Sequence, residues 1–378
     1  MSAPLTTLQI GLIASASQTS GSDRYYFSLL RSLGPLGVGV RGVVLGDPAA
    51  VEEPLAGVVS FAAEGSRTLS RWRGLRRTVG PLLRGSDLVV SHFAPHAFPV
   101  LDQIRAAPLV VHFHGPWTLE GRAAGLSRRT LLVRSIEERA VYARARRLIV
   151  LSRAFGDILR SEYGVPEAKI RVVPGGVDLR RFRIAGSRAD ARRELGWPGD
   201  RPIVLTVRRL APTKGIEHLI AAVDELRRRV PDVLVVIAGT GRLAEGFARD
   251  VRERGLDHWV RFAGYVPDDR LPLMNRAADV FVVPTVAFEG FGLVVLEALA
   301  CGTPVLVTPV SGLPEVVADL DPGLILAGTD PAAIAAGLGD ALSGARELPG
   351  EQACAAYAAR FGWSAIAGRV RAVYDEVA

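Results

Sequence analysis

The chain reads as an α/β protein of two doubly wound parallel sheets, and three observations predict it. Short apolar runs of strand length alternate with stretches of helical spacing throughout, the pattern of parallel layers covered by helices. The 378 residues suit two domains of about 180 residues, each large enough for its own core. Between the two series of runs, Asp178 to Pro202 is charged and punctuated by Gly and Pro, the composition of a linker.

In order along the first half, LQIGLIA (Leu8 to Ala14), VGVRGVVL, DLVVSHF, PLVVHFH, RRLIVLS and IRVV are the strand candidates. YYFSLLRSL follows the first of them, and LSRWRGLRRTVGPLLR (Leu69 to Arg84) places Leu69, Trp72, Val79 and Leu82 on one helical side, read as an ordinary helix packing on the sheet, with interfacial membrane binding as the sharper alternative. The second half restarts with PIVLTVRR and continues through VLVVIAG, VRFAGYV, DVFVVP and TPVLVTP. The closing FGWSAIAGRVRAVYDEVA has helical spacing through Trp363, Ile366, Val370 and Tyr374. Tandem repeats and low-complexity segments are absent.

An apolar content of 49% and a charged content of 22% describe a soluble globular protein. No apolar stretch approaches the roughly 20 residues that span a bilayer. The first residues have no basic group ahead of their apolar run and make a poor secretory signal. Cys301 and Cys354 fit neither a metal nor a disulfide pattern, so a reducing cytoplasm is the expected home. The net charge of +7 is uneven: from Arg67 to Arg160 there are 17 arginines against 6 acidic residues. Peripheral contact of the Arg-rich N-terminal half with an anionic membrane is one reading, favoured by about 1 kcal/mol per cation near anionic lipid. Nucleic acid is not an expected partner, because no recognised module accompanies the charge.

Residues 284–304, PTVAFEGFGLVVLEALACGTP, carry most of the functional signal. Glu289 and Glu297 flank a Gly-Phe-Gly turn (Gly290, Phe291, Gly292) that opens at Leu293 into an apolar helical run. A helix start offers free backbone N–H groups to phosphate, and the glycines permit close approach. Carboxylates beside such a site repel phosphate and pair instead with hydroxyls. The arrangement points to sugars on either side of a diphosphate.

This segment resembles the E-x7-E signature of retaining glycosyltransferases of family 4 (glycosyl transferases group 1), which have the GT-B architecture. The resemblance spans nearly the whole chain. It implies two Rossmann-like domains facing across a cleft: an acceptor-binding domain over residues 1–183, a nucleotide-sugar-binding domain over 184–361, and a last helix, 362–378, crossing back to the first. Ligands of doubly wound sheets sit beyond the carboxyl ends of the strands.

Other segments carry the resemblance further. TVRRLAPTKG is similar to the family's G-R-L-x-x-x-K-G element, which implies that Arg209 and Lys214 hold the donor diphosphate, with Arg208 standing where the family has Gly. Fixed cations there stabilise the charge that builds on the leaving group, each donor contributing about 2.7–4 kcal/mol. Gln18 to Arg24 (QTSGSDR) resembles a phosphate-approaching loop in which Gly21 alone remains of the usual Gly pair. Alternation puts His112 and His114 on one side of their strand, and His114, before Gly115, matches the family's histidine near donor sugar and acceptor hydroxyl. Gly175-Gly176-Val177-Asp178 resembles a hinge element, Tyr265 and Val266 a loop along the nucleotide base, and Ser311 to Glu315 another element near the donor. Gly239-Thr240-Gly241 lacks the third glycine of a dinucleotide fingerprint. Asp319-Leu320-Asp321 reads as D-x-D, but it closes a helix into a Pro-Gly loop, so no metal site is expected there.

The expected activity is metal-independent retaining transfer from a nucleotide diphosphate sugar, with no cofactor, to a glycan, glycolipid or small-molecule hydroxyl. Glu289 would hold donor-sugar hydroxyls and Glu297 the ribose. An epimerase of the same fold and a non-catalytic sugar-nucleotide-binding subunit are the alternatives; product formed without acceptor marks the first, donor binding without turnover the second.

Overall fold

The computed structural model describes residues 5–14, 21–51 and 53–378. The chain divides into two compact units, Met1–Gly175 with Trp363–Ala378, and Gly176–Gly362. The division falls at Gly175/Gly176 rather than at 183/184.

The first unit carries a seven-stranded parallel sheet: β1 (Leu5–Ala14), β2 (Val38–Gly46), β3 (Val58–Ala62), β4 (Leu88–Ser91), β5 (Leu109–Phe113), β6 (Arg147–Val150) and β7 (Ile170–Val172), in the order β3-β2-β1-β4-β5-β6-β7. Strands β4 and β5 are buried along their whole length. That is why they read as unbroken apolar runs: a parallel sheet with helices on both faces has no wet side. β3 has no counterpart among the sequence-predicted strands. It is an edge strand with Val59 and Ser60 exposed, and its five residues, VVSFA, carry a weaker apolar signal.

The helix Thr68–Leu83 turns Leu75 and Val79 into the core of this unit and leaves Leu69 66% exposed. The closing helix, Trp363–Asp375, packs on the helix Gly21–Leu33, with Trp363 edge-on to Tyr25 at 5.2 Å between ring centroids. Glu376 beyond it accepts from Arg147 (2.6 Å) and Arg171 (2.8 Å), which pins the chain end to β6 and β7.

The second unit carries a five-stranded parallel sheet: β8 (Ile203–Val207), β9 (Leu234–Ala238), β10 (Val260–Gly264), β11 (Val280–Val283) and β12 (Val305–Val307), in the order β10-β9-β8-β11-β12. The order reverses between β8 and β11, the crevice position where such sheets place ligands. Asp178–Pro202 is more structured than a linker. It contains helices Leu179–Phe182 and Arg188–Leu195, the latter opened by a reciprocal Ser187–Asp190 capping box. Arg192 on that helix pairs with Asp279 at 2.5 Å and donates to the Ala277 carbonyl. The local charge that suggested a linker is therefore spent on fixing a helix to the sheet.

Candidate functional site

In the second unit the site grows from the carboxyl ends of β8 and β11. β8 ends at Val207, so Arg208 is the first residue beyond it; Arg208 N–H donates to the Ala238 carbonyl, and its own carbonyl faces Gly239. A Cβ at Gly239 would meet that carbonyl oxygen at 1.9 Å, and φ there is +126°. The glycine is required by close passage of two strand ends, not by a dinucleotide.

The Arg208 side chain is buried and reaches across to the loop after β11, donating to Thr285 Oγ1 (2.8 Å) and to Glu289 Oε2. Lys214 Nζ donates to the same carboxylate oxygen at 3.0 Å. Burial pushes the Glu289 carboxyl up, but Arg208 and then Lys214 outweigh it and hold the group down to about 2. The cluster thus keeps one carboxylate and two cations together, with one net positive charge.

Beside it, Gly292 caps the helix Leu293–Ala300 with φ +79° and no side-chain cap, so no capping side chain claims the Leu293 and Val294 amides, while Val295 N–H donates to the Gly292 carbonyl at 2.9 Å. The Glu289 carbonyl accepts from Gly312 N–H at 3.0 Å, tying the loop after β11 to the loop after β12. Two non-glycine residues adopt positive φ here, Phe288 (51°) and Ser311 (49°). Each costs about 1–3 kcal/mol, and such strain clusters where loops are shaped for a ligand.

The remaining sequence-predicted residues fall as follows. Glu297 is buried within the helix Leu293–Ala300. Gly290 is buried, and Phe291 turns its ring toward Phe361, 6.0 Å away, so its side chain serves packing. Arg209 is exposed, and its side chain makes no hydrogen bond or ion pair among the described residues; Arg208 joins Glu289 instead. Tyr265 (53% exposed) and Val266 follow β10, and no hydrogen bond or ring contact links Tyr265 to Glu289. Asp321 caps the turn Pro322–Leu324 by accepting from Gly323 N–H. No group of three or more potential metal ligands occurs among the described residues.

In the first unit Gly21 opens the helix Gly21–Leu33 and has open space where a Cβ would be. Gln18, Thr19 and Ser20 of the phosphate-loop reading lie outside the described residues. His114 follows β5 and is joined by residues that sequence reasoning did not single out. His92, just past β4, stacks on His112 with centroids 4.4 Å apart, and its Nδ1 lies 3.4 Å from His114 Nε2. Tyr25 packs edge-on to His114 at 4.9 Å. Burial pushes His114 down to about 4 and holds His92 and His112 well below the usual imidazole range. The available signal was the recurrence of SHF and HFHG at the ends of two neighbouring strands.

Comparison with known proteins bears on both units. The model "Glycosyl transferases group 1" matches residues 187–360, and "Glycosyltransferase Family 4" matches 19–181. The chain is 40% identical over 187 residues to the GDP-mannose-dependent alpha-(1-6)-phosphatidylinositol monomannoside mannosyltransferase of Mycolicibacterium smegmatis, 48% of this chain and 49% of that protein. It is 36% identical over 305 residues to the D-inositol 3-phosphate glycosyltransferase of Streptomyces scabiei, 76% of this chain and 67% of that protein. The chain spans about half the length of the first of these relatives. In fold it is similar to sucrose-phosphate synthase from Thermosynechococcus elongatus (TM-score 0.77, 24% identity, 98% of each chain) and to Anabaena HepE in complex with UDP-glucose (TM-score 0.76, 19% identity, 98% of this chain and 100% of that one).

Proposed function

Since the chain belongs to the group 1, family 4 glycosyltransferases of GT-B fold, we propose that it moves a sugar from a nucleotide diphosphate sugar to a hydroxyl acceptor, with retention and without a metal. The observation that carries this reading is the meeting of Arg208, Lys214 and Glu289 at the strand-order reversal, beside the open helix start at Gly292. Lys214, with Arg209 on the exposed side and the amides after Gly292, neutralises the diphosphate. Glu289 accepts from donor-sugar hydroxyls, and Arg208 holds that carboxylate ionised and in place. Glu297 takes the ribose.

In the reaction the bond from the anomeric carbon to the phosphate oxygen breaks. A bond to the acceptor oxygen forms on the same face, and the departing phosphate takes the acceptor proton. Charge grows on the phosphate as the bond breaks, and fixed cations stabilise that growth more than they stabilise the bound donor. His114 orients a hydroxyl in the first unit. A glycolipid or polyol phosphate acceptor is the class that the named relatives favour, with a glycan or small aglycone next.

We place the work at an anionic membrane face because of one surface. On the helix Arg128–Arg144, Leu132 (63% exposed), Val133 (55%) and Ile136 (52%) form an outward apolar stripe at helical spacing. Arg128 and Arg129 precede it on the same helix and Arg122 lies on the helix before, all three exposed, and residues 121–136 contain no carboxylate.

The test is nucleotide release from UDP- and GDP-sugars by purified protein, with inositol phosphate, phosphatidylinositol and glycan acceptors, with and without EDTA, and product anomers read by NMR. Acceptor-dependent release, unchanged by EDTA and yielding the donor's anomer, is the expected result. Release from no donor with any acceptor overturns the reading, and conversion of donor without acceptor replaces it with epimerisation.

A further inference from the structure

Gln9, His92, His112, Tyr25 and Tyr374 are each 2% exposed or less, and together with the partly exposed His114 they form one layer of imidazole, phenol and amide groups in the first unit. Sealed from water, each polar atom must find its partner within the layer, so the donors and acceptors can be assigned in sequence. Thr7 Oγ1 donates to the Gly39 carbonyl, which can only accept (3.3 Å). Its lone pair therefore takes an amide hydrogen from Gln9 Nε2 at 3.0 Å. This turns Gln9 Oε1 toward His92 Nε2, 2.9 Å away, and that nitrogen must carry a proton. His92 is neutral because burial, then His112 and His114, push its titration far down. Its Nδ1 is consequently a bare lone pair, and the group facing it at 3.4 Å is His114 Nε2.

The third ring sits between two phenols: His112 Nε2 lies 2.9 Å from the Tyr374 hydroxyl and its Nδ1 3.1 Å from the Tyr25 hydroxyl, so its nitrogens are engaged by hydroxyls and not by His92 or His114. One amide on β1 thereby fixes the protonation pattern of His92 and, through it, of His114.

We propose that Gln9 and His92 are positioning residues that hold His114 as its Nε2–H tautomer, leaving the Nδ1 lone pair as the atom His114 presents to a hydroxyl. Nδ1 of His114 has no hydrogen-bond partner among the described residues, and it is not among the buried atoms left unsatisfied there. An acceptor nitrogen on a neutral ring suits a sugar or polyol hydroxyl and not an anion. The identity of that hydroxyl rests on the transferase reading; the tautomer does not.

The test is the ring ¹⁵N spectrum of histidine-labelled full-length protein at pH 7.5, assigned with a His114→Asn variant. Expected in the unaltered protein are protons on Nε2 of both His92 and His114, with Nδ1 of each ring a bare lone pair. Gln9→Met removes the acceptor that holds the His92 proton on Nε2. His92 can then protonate Nδ1 and donate to His114, so a His114 Nδ1–H signal should emerge. His92→Phe keeps the stack and removes the partner, and His114 should become a mixture. A His114 proton on Nδ1 in the unaltered protein, or no change of its tautomer in either variant, overturns the assignment. Absence of transfer activity with this tautomer pattern intact overturns only the transferase reading.

Discussion

Lys214 Nζ lies 3.0 Å from Glu289 Oε2, and the guanidinium of Arg208 donates to that same oxygen. One largely covered carboxylate, its side chain 15% exposed, therefore separates two cations that would otherwise repel. Removing it should be costly well before any ligand is considered. Glu289→Gln is expected to destabilise the second unit by about 3 kcal/mol, the scale of breaking a buried pair. The double change Glu289→Gln with Arg208→Met should recover most of that, because the stranded charge goes too. Urea denaturation of the two variants measures both effects. Equal midpoints for the single variant and the unaltered protein would show that the three groups are not coupled. The sign with pH follows from the lowered carboxyl: this stabilisation is whole above pH 4.5 and fades as pH falls toward 2.

The first unit should fail in acid earlier, for the opposite kind of group. Burial pushes His96 and His114 down to about 4 and His92 and His112 further. The unfolded chain takes up protons near 6.5, which the folded chain refuses until well below that. Stability is then complete above pH 6.5 and drains as pH drops from 6.5 toward 4, by about 1.4 kcal/mol per pH unit for each group. Urea midpoints followed by tryptophan fluorescence at pH 7.5, 6.5 and 5.5 should fall steadily. A midpoint constant over that interval contradicts the buried neutral cluster.

Much of this architecture was legible beforehand, for reasons particular elements make plain. Strands such as VLVVIAG and DVFVVP announced themselves because both faces of a covered parallel sheet are dry. β3 escaped notice as a short edge strand with one wet side. Glu289 and Lys214 were readable from the motif around them, and the structure brings them together. Arg208 was not, because the family position it occupies calls for Gly. Only the fold shows its side chain running inward to Glu289 while Arg209 stays outside. The helices in Asp178–Pro202 were hidden by charge that pairs over long range, as Arg192 does with Asp279.

The two adjacent arginines should accordingly separate under mutation. Arg208→Ala leaves Glu289 half-neutralised, and a lost preorganised group of this kind costs on the order of 100-fold in kcat. Its melting temperature should fall as well. Arg209→Ala removes an exposed side chain, and surface changes of that kind stay within about 0.5 kcal/mol. Its effect should fall on donor affinity and turnover, measured by calorimetry and initial rates, and not on melting temperature. Unaltered stability for Arg208→Ala, or a large loss of stability for Arg209→Ala, reverses the assignment of the two.

The turn at Gly292 is a sharper constraint than its position in a motif suggests. Its φ of +79° is strained for any residue with a Cβ, and a Cβ there would meet Leu313 Cδ2 at 2.8 Å. Leu313 starts the helix after β12, so Gly292→Ala presses one strand-end loop on the other. Destabilisation of about 1–3 kcal/mol is expected, together with loss of donor binding, because the amides after residue 292 shift. A variant with unchanged melting and unchanged donor affinity would mean that these amides are not part of the site.

The apolar stripe on the helix Arg128–Arg144 gives the last prediction. Leu132, Val133 and Ile136 stand in water at a helical spacing that elsewhere in this chain marks a face turned inward. Apolar area costs roughly 25 cal/mol per Å² left exposed, and the arginines around the stripe keep the face from collapsing onto a neutral partner. An interfacial helix gains from both features at once: apolar area enters the acyl boundary while each cation near anionic lipid contributes about 1 kcal/mol. The protein should float with vesicles of phosphatidylglycerol and phosphatidylcholine mixed, and stay down with phosphatidylcholine alone. Substituting Leu132, Val133 and Ile136 together by Gln should abolish flotation with little change of melting temperature, because those side chains are more than half exposed. Arg128→Glu with Arg129→Glu should shift the vesicle requirement toward lower salt, since screened charge is the part they alter. Flotation with neutral vesicles, or concentration-dependent dimers dispersed by the Gln substitutions, would instead assign the stripe to a different partner.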